Sequence, residues 1–270
     1  MYGDRPMNNI HSSAIVSPKA ELGDNISIGP YAVVEAGAVI KDGAQLSSHV
    51  VLGPGAIIGQ RVKISPHAVI GTGPQDLKYN NEPTTAEVGD DTILREFVTV
   101  NRGTKAHGHT KVGARCFLMA YTHVAHDCQV GNNVIMANSA NLAGHVEVDD
   151  FAILGGILPV HQFVKIGAHS MIGGGFRVHQ DVCPFALAAG YPLRIVGINS
   201  IGLNRRGFAR ETIRTLEKTY KILFFSGLNT TQAIGRLQQE VAILPEVEMV
   251  LEFVRRSRRG LVKSRHVRED

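Results

Sequence analysis

Four histidines scattered along this chain have the spacing and surroundings to do chemistry together. They occur in Tyr121-Thr-His-Val-Ala-His-Asp127, Leu142-Ala-Gly-His145 and Val160-His-Gln-Phe163, as His123, His126, His145 and His161. A neutral imidazole, with an ordinary pKa of ~6.5, can take a proton from a hydroxyl near neutral pH. Neutral imidazoles also bind zinc, so the residue types alone leave proton transfer and metal ligation both open. Asp127 follows His126, but adjacency in sequence does not establish a hydrogen bond. Taken singly, each histidine reads as an exposed polar residue. The chemical reading depends on something that gathers them.

A six-residue period does so. Stepping by six from Ile10 gives Val16, Leu22, Ile28, Val34, Ile40, Leu46, Leu52, Ile58, Ile64 and Ile70; the series resumes at Val88, Leu94 and Val100, and runs again from Val112 to Val178. Asp76, Glu82 and Ala106 break it. The period belongs neither to an isolated helix nor to an alternating strand, and marks a hexapeptide solenoid. Each period is a short strand and a turn, and three strands close one triangular coil of 18 residues. The position two before the aliphatic residue is small (Ala32, Ala44, Ala68, Cys116, Cys128, Ala140), which suits a crowded interior. The position after it is often Gly, as at Gly29, Gly53 and Gly113, which suggests a corner of positive φ. Coils stack at the ~4.8 Å inter-strand spacing, and about ten of them would make a prism ~45 Å long. Residues 18 apart then stack, so His126, Gly144 and Gln162 share one column, with His145 and His161 beside it and His123 three residues before His126. Metal ligation remains the rival. The γ-class carbonic anhydrases bind zinc on a similar prism with a pair of histidines five residues apart, a spacing no two histidines here share.

Two excursions leave the register, at residues 72–87 and 101–110; the second carries His107 and His109. Long ordered loops on a rigid scaffold commonly carry function. The solenoid is expected over residues 1–190 and a helical domain over 191–270, joined by a connector from Ala189 to Leu193. Helical stripes read as Ile213, Leu216, Tyr220 and Leu223; as Ala233, Leu237, Val241 and Leu244, with Thr230 and Thr231 as capping candidates; and as Val247, Val250, Leu251 and Val254 after Pro245. These are packing surfaces before they are a cofactor box. The polar stretch Met1 to Asn9 is expected to fray. There is no apolar run of membrane-spanning length and no signal-peptide pattern. The three cysteines include no C-x-x-C pair, which argues against disulfides or zinc and for the cytoplasm. The net charge is +4, concentrated at Arg205, Arg206 and a C-terminal run through Arg255, Arg256, Arg258, Arg259, Lys263, Arg265 and Arg268. That run is either a solvated face or a surface for an anionic partner. Nucleic acid is disfavoured, because no recognised binding motif or aromatic-studded basic face is present.

Together with Gln75-Asp-Leu-Lys-Tyr79 and Gly202-Leu-Asn-Arg-Arg-Gly-Phe208, the histidine motifs closely resemble the acyl-(acyl carrier protein)–UDP-N-acetylglucosamine O-acyltransferases, the first enzymes of lipid A biosynthesis. The resemblance covers essentially the whole chain. It implies a left-handed parallel β-helix with a C-terminal helical domain, assembled as a homotrimer with active sites between subunits. It implies transfer of a 3-hydroxyacyl group from the phosphopantetheine thioester of acyl carrier protein to the glucosamine 3-OH of UDP-N-acetylglucosamine, with no further cofactor and no metal. His126 matches the general base and Gly144 the oxyanion donor. Gln75, Asp76, Lys78, His123, His145, His161 and Gln162 match substrate-lining positions. Asn199, Arg205 and Arg206 match the nucleotide and pantetheine region, and Gly174 the position that limits acyl length, where glycine implies a long, myristate-like chain. The chain departs from the family at Ile201, where an acidic residue is usual, and at Tyr191-Pro192, where Asn-His is usual. The alternatives are another hexapeptide acyl- or acetyltransferase and a non-enzymatic trimeric scaffold. The later N-acyltransferase of the pathway carries an N-terminal uridine-binding domain, for which repeats beginning at Ile10 leave no room.

Overall fold

A computed structural model describes residues 7–264. Residues 1–6 of the polar N-terminal stretch, and Arg265 and Arg268 of the basic run, lie outside the described residues. The repeats wind into a left-handed parallel β-helix with three faces. The first face is an 11-stranded sheet that begins with Asn9–Ile10 and Ser27–Ile28; the second and third are 8-stranded sheets that begin with Ile15–Val16 and Glu21–Leu22. The aliphatic series points inward and is buried from Ile28 onward, with the small residues buried beside it. Ile10 is 40% exposed; it stands in the first coil, whose strand pairs on one side only among the described residues.

The glycines after the aliphatic residues serve a purpose other than the expected one. Of these glycines only Gly71 has positive φ (83°); elsewhere positive φ falls two residues later, at Tyr31 (58°), His49 (58°), His67 (63°), Phe97 (59°) and Tyr121 (63°). At Gly53 a Cβ would lie 2.6 Å from the Gly71 carbonyl oxygen of the next coil. Close approach between coils excludes a side chain there. The left-handed corner itself tolerates rings, which stack from coil to coil at 4.8–5.2 Å.

Both excursions leave from the same edge. Chain passing from the second face to the third is thrown out between Val69–Thr72 and Thr85–Val88, and again between Thr99–Asn101 and His109–Val112. Register is preserved across them, with Ile64 paired to Leu94 and Leu94 to Leu118. The loops are stitched together. The Asn101 side chain donates to Thr72 Oγ1 (3.2 Å) and the Gly73 carbonyl (3.1 Å), and Thr84 Oγ1 donates to the Gly103 carbonyl (2.6 Å).

The connector is the turn of an antiparallel hairpin. Ala186–Ala189 and Arg194–Ile198 extend the first face, and the turn contains a cis Tyr191-Pro192 bond. Helix α1 (Ser200–Arg205) follows, then α2 (Arg210–Phe225), α3 (Thr230–Glu240) and α4 (Pro245–Arg256). The first and third apolar stripes lie buried in α2 and α4. The second stripe outruns its helix, since Val241 is the C-cap of α3 and Leu244 the N-cap of α4. The residue that caps α3 is Asn229, in a capping box with Gln232, so the threonines first considered fall inside the helix. The helices are tied to the prism by Tyr220, whose hydroxyl donates to the Pro184 carbonyl, and by Arg256, which pairs with Asp149 at 2.8 Å.

Candidate active site

The edge that releases both loops also carries His126. Chain leaving the second-face strand His123–Val124 turns through Ala125-His126-Asp127 before re-entering the third face at Gln129–Val130. One coil further on, Gly144 takes the equivalent place. A Cβ on Gly144 would lie 2.6 Å from Cε1 and 2.7 Å from Nε2 of His126, so the imidazole rests against the bare Cα. The His145 N–H donates to the His126 carbonyl (3.1 Å), and the Phe163 N–H to the Gly144 carbonyl (3.2 Å). The Gly144 N–H has no acceptor among the described residues.

Asp127 stands behind the imidazole. Its Oδ2 is 2.7 Å from His126 Nδ1, a contact that sequence adjacency alone could not establish. Its side chain is fully buried. The carboxylate also accepts from the Thr104 N–H (2.9 Å) and Oγ1 (2.7 Å) and from the His107 N–H (3.3 Å). Burial by itself would push this carboxyl up, but the bonds from His126 and Thr104, with the nearby His145, hold it below the ordinary aspartate range. Asp127 therefore remains an anion that fixes the proton of His126 on Nδ1 and leaves Nε2 as the basic nitrogen.

Of the other expected imidazoles, His145 packs against this pair and His123 lies within its field. His145 stands edge-on to His126 (5.1 Å between centroids), stacks on Phe163 (4.6 Å), and brings Nε2 to 3.6 Å from Asp127 Oδ2. Burial pushes His145 down toward the neutral form; the positive fields of His126 and His107 add to this, and Asp127 and Asp76 oppose it. His123 Nδ1 is 2.7 Å from Thr99 Oγ1, and burial likewise favours its neutral ring. Gln162 is exposed on the same edge, next to His161. His161 lines a cavity of about 420 Å³ with Arg177, His179, Arg259 and the Tyr191-Pro192 turn. In the first loop Asp76 Oδ1 accepts the Lys78 N–H (3.0 Å), while Gln75 and Lys78 are exposed. Among the described residues, the groups able to hold a metal ion together are His126, Asp127 and His145, whose ligand atoms lie within 4.8 Å of one another.

The remaining expected residues lie elsewhere on the chain. Asn199 caps α1 through the Gly202 N–H (3.1 Å) and donates to the His169 carbonyl (3.0 Å). Arg206 donates to the Phe151 carbonyl (3.0 Å) and lies over the Phe151 ring. Phe151 and His169 belong to the edge between the third and first faces, so Asn199 and Arg206 sit around a corner from His126. Arg205, at the end of α1, is exposed. Gly174 lies at the edge between the first and second faces, where a Cβ would come within 2.7 Å of the Gly156 carbonyl oxygen; coil packing therefore requires glycine there quite apart from any groove. Sequence reasoning missed Thr99, Thr104 and Thr110. Only the membership of Thr104 and Thr110 in the second excursion pointed to them.

Comparison with known proteins places this architecture. Residues 37–72 and 109–144 match the bacterial transferase hexapeptide repeats, and residues 181–262 match domain 2 of the UDP-N-acetylglucosamine O-acyltransferases. The chain is 50% identical over 258 residues to the acyl-(acyl carrier protein)–UDP-N-acetylglucosamine O-acyltransferase of Thiobacillus denitrificans, covering 95% of this chain and 100% of that one. The same coverage and identity hold for the enzyme of that name from Alkalilimnicola ehrlichii. Among solved structures, a UDP-N-acetylglucosamine acyltransferase from Bacteroides fragilis superimposes with a TM-score of 0.92 at 41% identity, covering 94% of this chain and 100% of its own.

Proposed function

This chain belongs to the acyl-(acyl carrier protein)–UDP-N-acetylglucosamine O-acyltransferase family, and from that premise we propose that His126 is the base of its transfer reaction. The chain is an acyltransferase. It moves an acyl group from acyl carrier protein to UDP-N-acetylglucosamine, the first step of lipid A biosynthesis. In our reading, Nε2 of His126 removes the proton of the glucosamine 3-OH as that oxygen attacks the thioester carbonyl. The carbonyl π electrons move onto its oxygen, and the open Gly144 N–H is placed to receive the oxyanion. The intermediate collapses, the C–S bond breaks, and the pantetheine thiolate takes the proton back from His126. Asp127 stabilises the imidazolium between these steps. The base activates the sugar directly, so no acyl-enzyme, cofactor or metal enters. Asp76 and Lys78 line the sugar-nucleotide side, and the donor is a 3-hydroxyacyl chain. The observation that carries the reading is the 2.7 Å contact between His126 and buried Asp127, beside an N–H with no acceptor among the described residues.

The active unit is a homotrimer in this reading. Asn199, Arg205 and Arg206 lie around a corner from His126, so one chain alone does not assemble the set. The outward positions Ile93, Phe117, Ile135, Ile153 and Met171 form an apolar stripe on the first face that a second copy would cover. No helix among the described residues is long and apolar enough to cross a membrane. The enzyme works in the cytoplasm on soluble donors. The test is transfer from 3-hydroxyacyl carrier protein to labelled UDP-N-acetylglucosamine with a metal chelator present. Wild-type protein should be active, and His126→Ala should lose ~10²–10⁴ in rate. Near-wild-type turnover in that variant would remove His126 from the mechanism.

A further inference from the structure

The second excursion interrupts a regular solenoid, and its residues converge on one carboxylate. Asp127 is built into a left-handed corner (φ 60°) with its side chain closed off from solvent. Its Oδ1 accepts the Thr104 and His107 N–H groups, and its Oδ2 accepts Thr104 Oγ1 and His126 Nδ1, each at 2.7 Å. Its own N–H donates to Thr110 Oγ1 (2.8 Å). Two short bonds on one oxygen use both of its lone pairs, so the hydroxyl on one side sets the direction left for the imidazole on the other. The hydroxyl is aimed in turn. Thr104 Oγ1 accepts the Ala106 N–H (3.2 Å), which leaves its own hydrogen for the carboxylate, and the Thr104 carbonyl accepts the Gly108 N–H (2.7 Å). Gly103 anchors the loop to the first excursion through Thr84 and Thr85, and a Cβ on it would meet the His109 backbone at 2.5 Å.

We propose that Thr104 is a positioning residue for acyl transfer: its hydroxyl, delivered by the second excursion, holds Asp127 in the orientation that presents Nε2 of His126 as the base. The inference rests on the reading of His126 above. The other titratable groups around Asp127 are His145, 3.6 Å from Oδ2, His107, whose Nδ1 is 3.2 Å from the Asp127 carbonyl, and the buried Cys128 thiol beside it in sequence; Asp76 acts on His145. None of these occupies the lone pair that Thr104 fills.

A double-mutant cycle tests it. Thr104→Val keeps the shape of the side chain and removes the donor. It should lower kcat about tenfold, the usual worth of one charge-assisted hydrogen bond, with the KM of both substrates near wild type. Thr104→Ser should recover most of the loss. In a His126→Ala background the same Thr104→Val change should cost nothing further, because the group it acts through is gone. A merely structural threonine would lower the rate by the same factor in both backgrounds, and that result, or no loss in the wild-type background, overturns the proposal. Thr104→Ala is carried in parallel as a variant that adds no bulk, with circular dichroism melts to establish folding. Full activity of His126→Ala alone would sink the base and Thr104 with it, whereas additive losses would sink Thr104 only.

Discussion

A methyl group at position 144 would lie within 2.7 Å of both Cε1 and Nε2 of His126. Real Cβ atoms do not approach so closely, so Gly144→Ala must displace the imidazole or lift the coil that carries it. The ring is held by one side-chain hydrogen bond to Asp127, whereas the coil at 144 is fixed by backbone bonds to both neighbouring coils, so the ring is the softer of the two parts. A displacement of this kind costs on the order of 10²-fold in rate. We therefore expect Gly144→Ala to lose about that much kcat while its melting curve stays close to wild type; unchanged turnover would mean that the imidazole need not rest against this Cα. The histidine column was legible from arithmetic on the repeat, because stacking by 18 is a backbone property. The roles of Asp127 and Thr104 were not legible, since they depend on which way a side chain points at a left-handed corner and on how a loop folds back.

The helices show where local sequence speaks and where it misleads. Three apolar stripes were readable, because each helix buries one face against the prism or its neighbours. The end of α3 was not, because Leu244 continues the spacing after the backbone has become extended. The cap is decided by geometry. Asn229 has extended φ/ψ and its side chain accepts the Gln232 N–H at 2.9 Å, while Thr230 already lies in the helix. Asn229→Ala should lower stability by about 1 kcal/mol, and Thr230→Ala should be close to neutral in the same thermal or denaturant melt. Equal losses from the two substitutions would contradict this capping assignment. The hairpin turn at Tyr191-Pro192 was expected only as a connector, because strand pairing with Ala186–Ala189 is a tertiary contact that short apolar segments do not announce.

The whole molecule distributes its expected functional residues over different edges of one prism. His126, His145 and the two excursions share the edge between the second and third faces; Arg206 and Asn199 sit by the Phe151–His169 column around the corner. If neighbouring copies complete each site, then inactive chains with lesions on different edges should complement one another. Co-refolded or co-expressed His126→Ala and Arg205→Ala chains should regain activity well above either variant alone, measured on purified mixed assemblies. No recovery, with mixing verified by mass spectrometry, would indicate that each chain carries a complete site. Burial pushes His169 down to about 4 in the ring column where the helices meet the prism, with the positive field of Arg206 adding to the effect. Against an unfolded value of ~6.5, the contribution of His169 to stability is complete above that pH and is lost as pH falls toward the folded value.

By itself the sequence determined the solenoid, its core, the column of histidines and the places where the chain leaves the register. All of these follow from a period written into the backbone, in which each residue's position depends only on its count along the chain. Tertiary structure alone decided which carboxylate supports His126, what holds that carboxylate and which residues lie around a corner from one another. Those depend on side-chain direction, loop closure and hydrogen-bond satisfaction, none of which has a period.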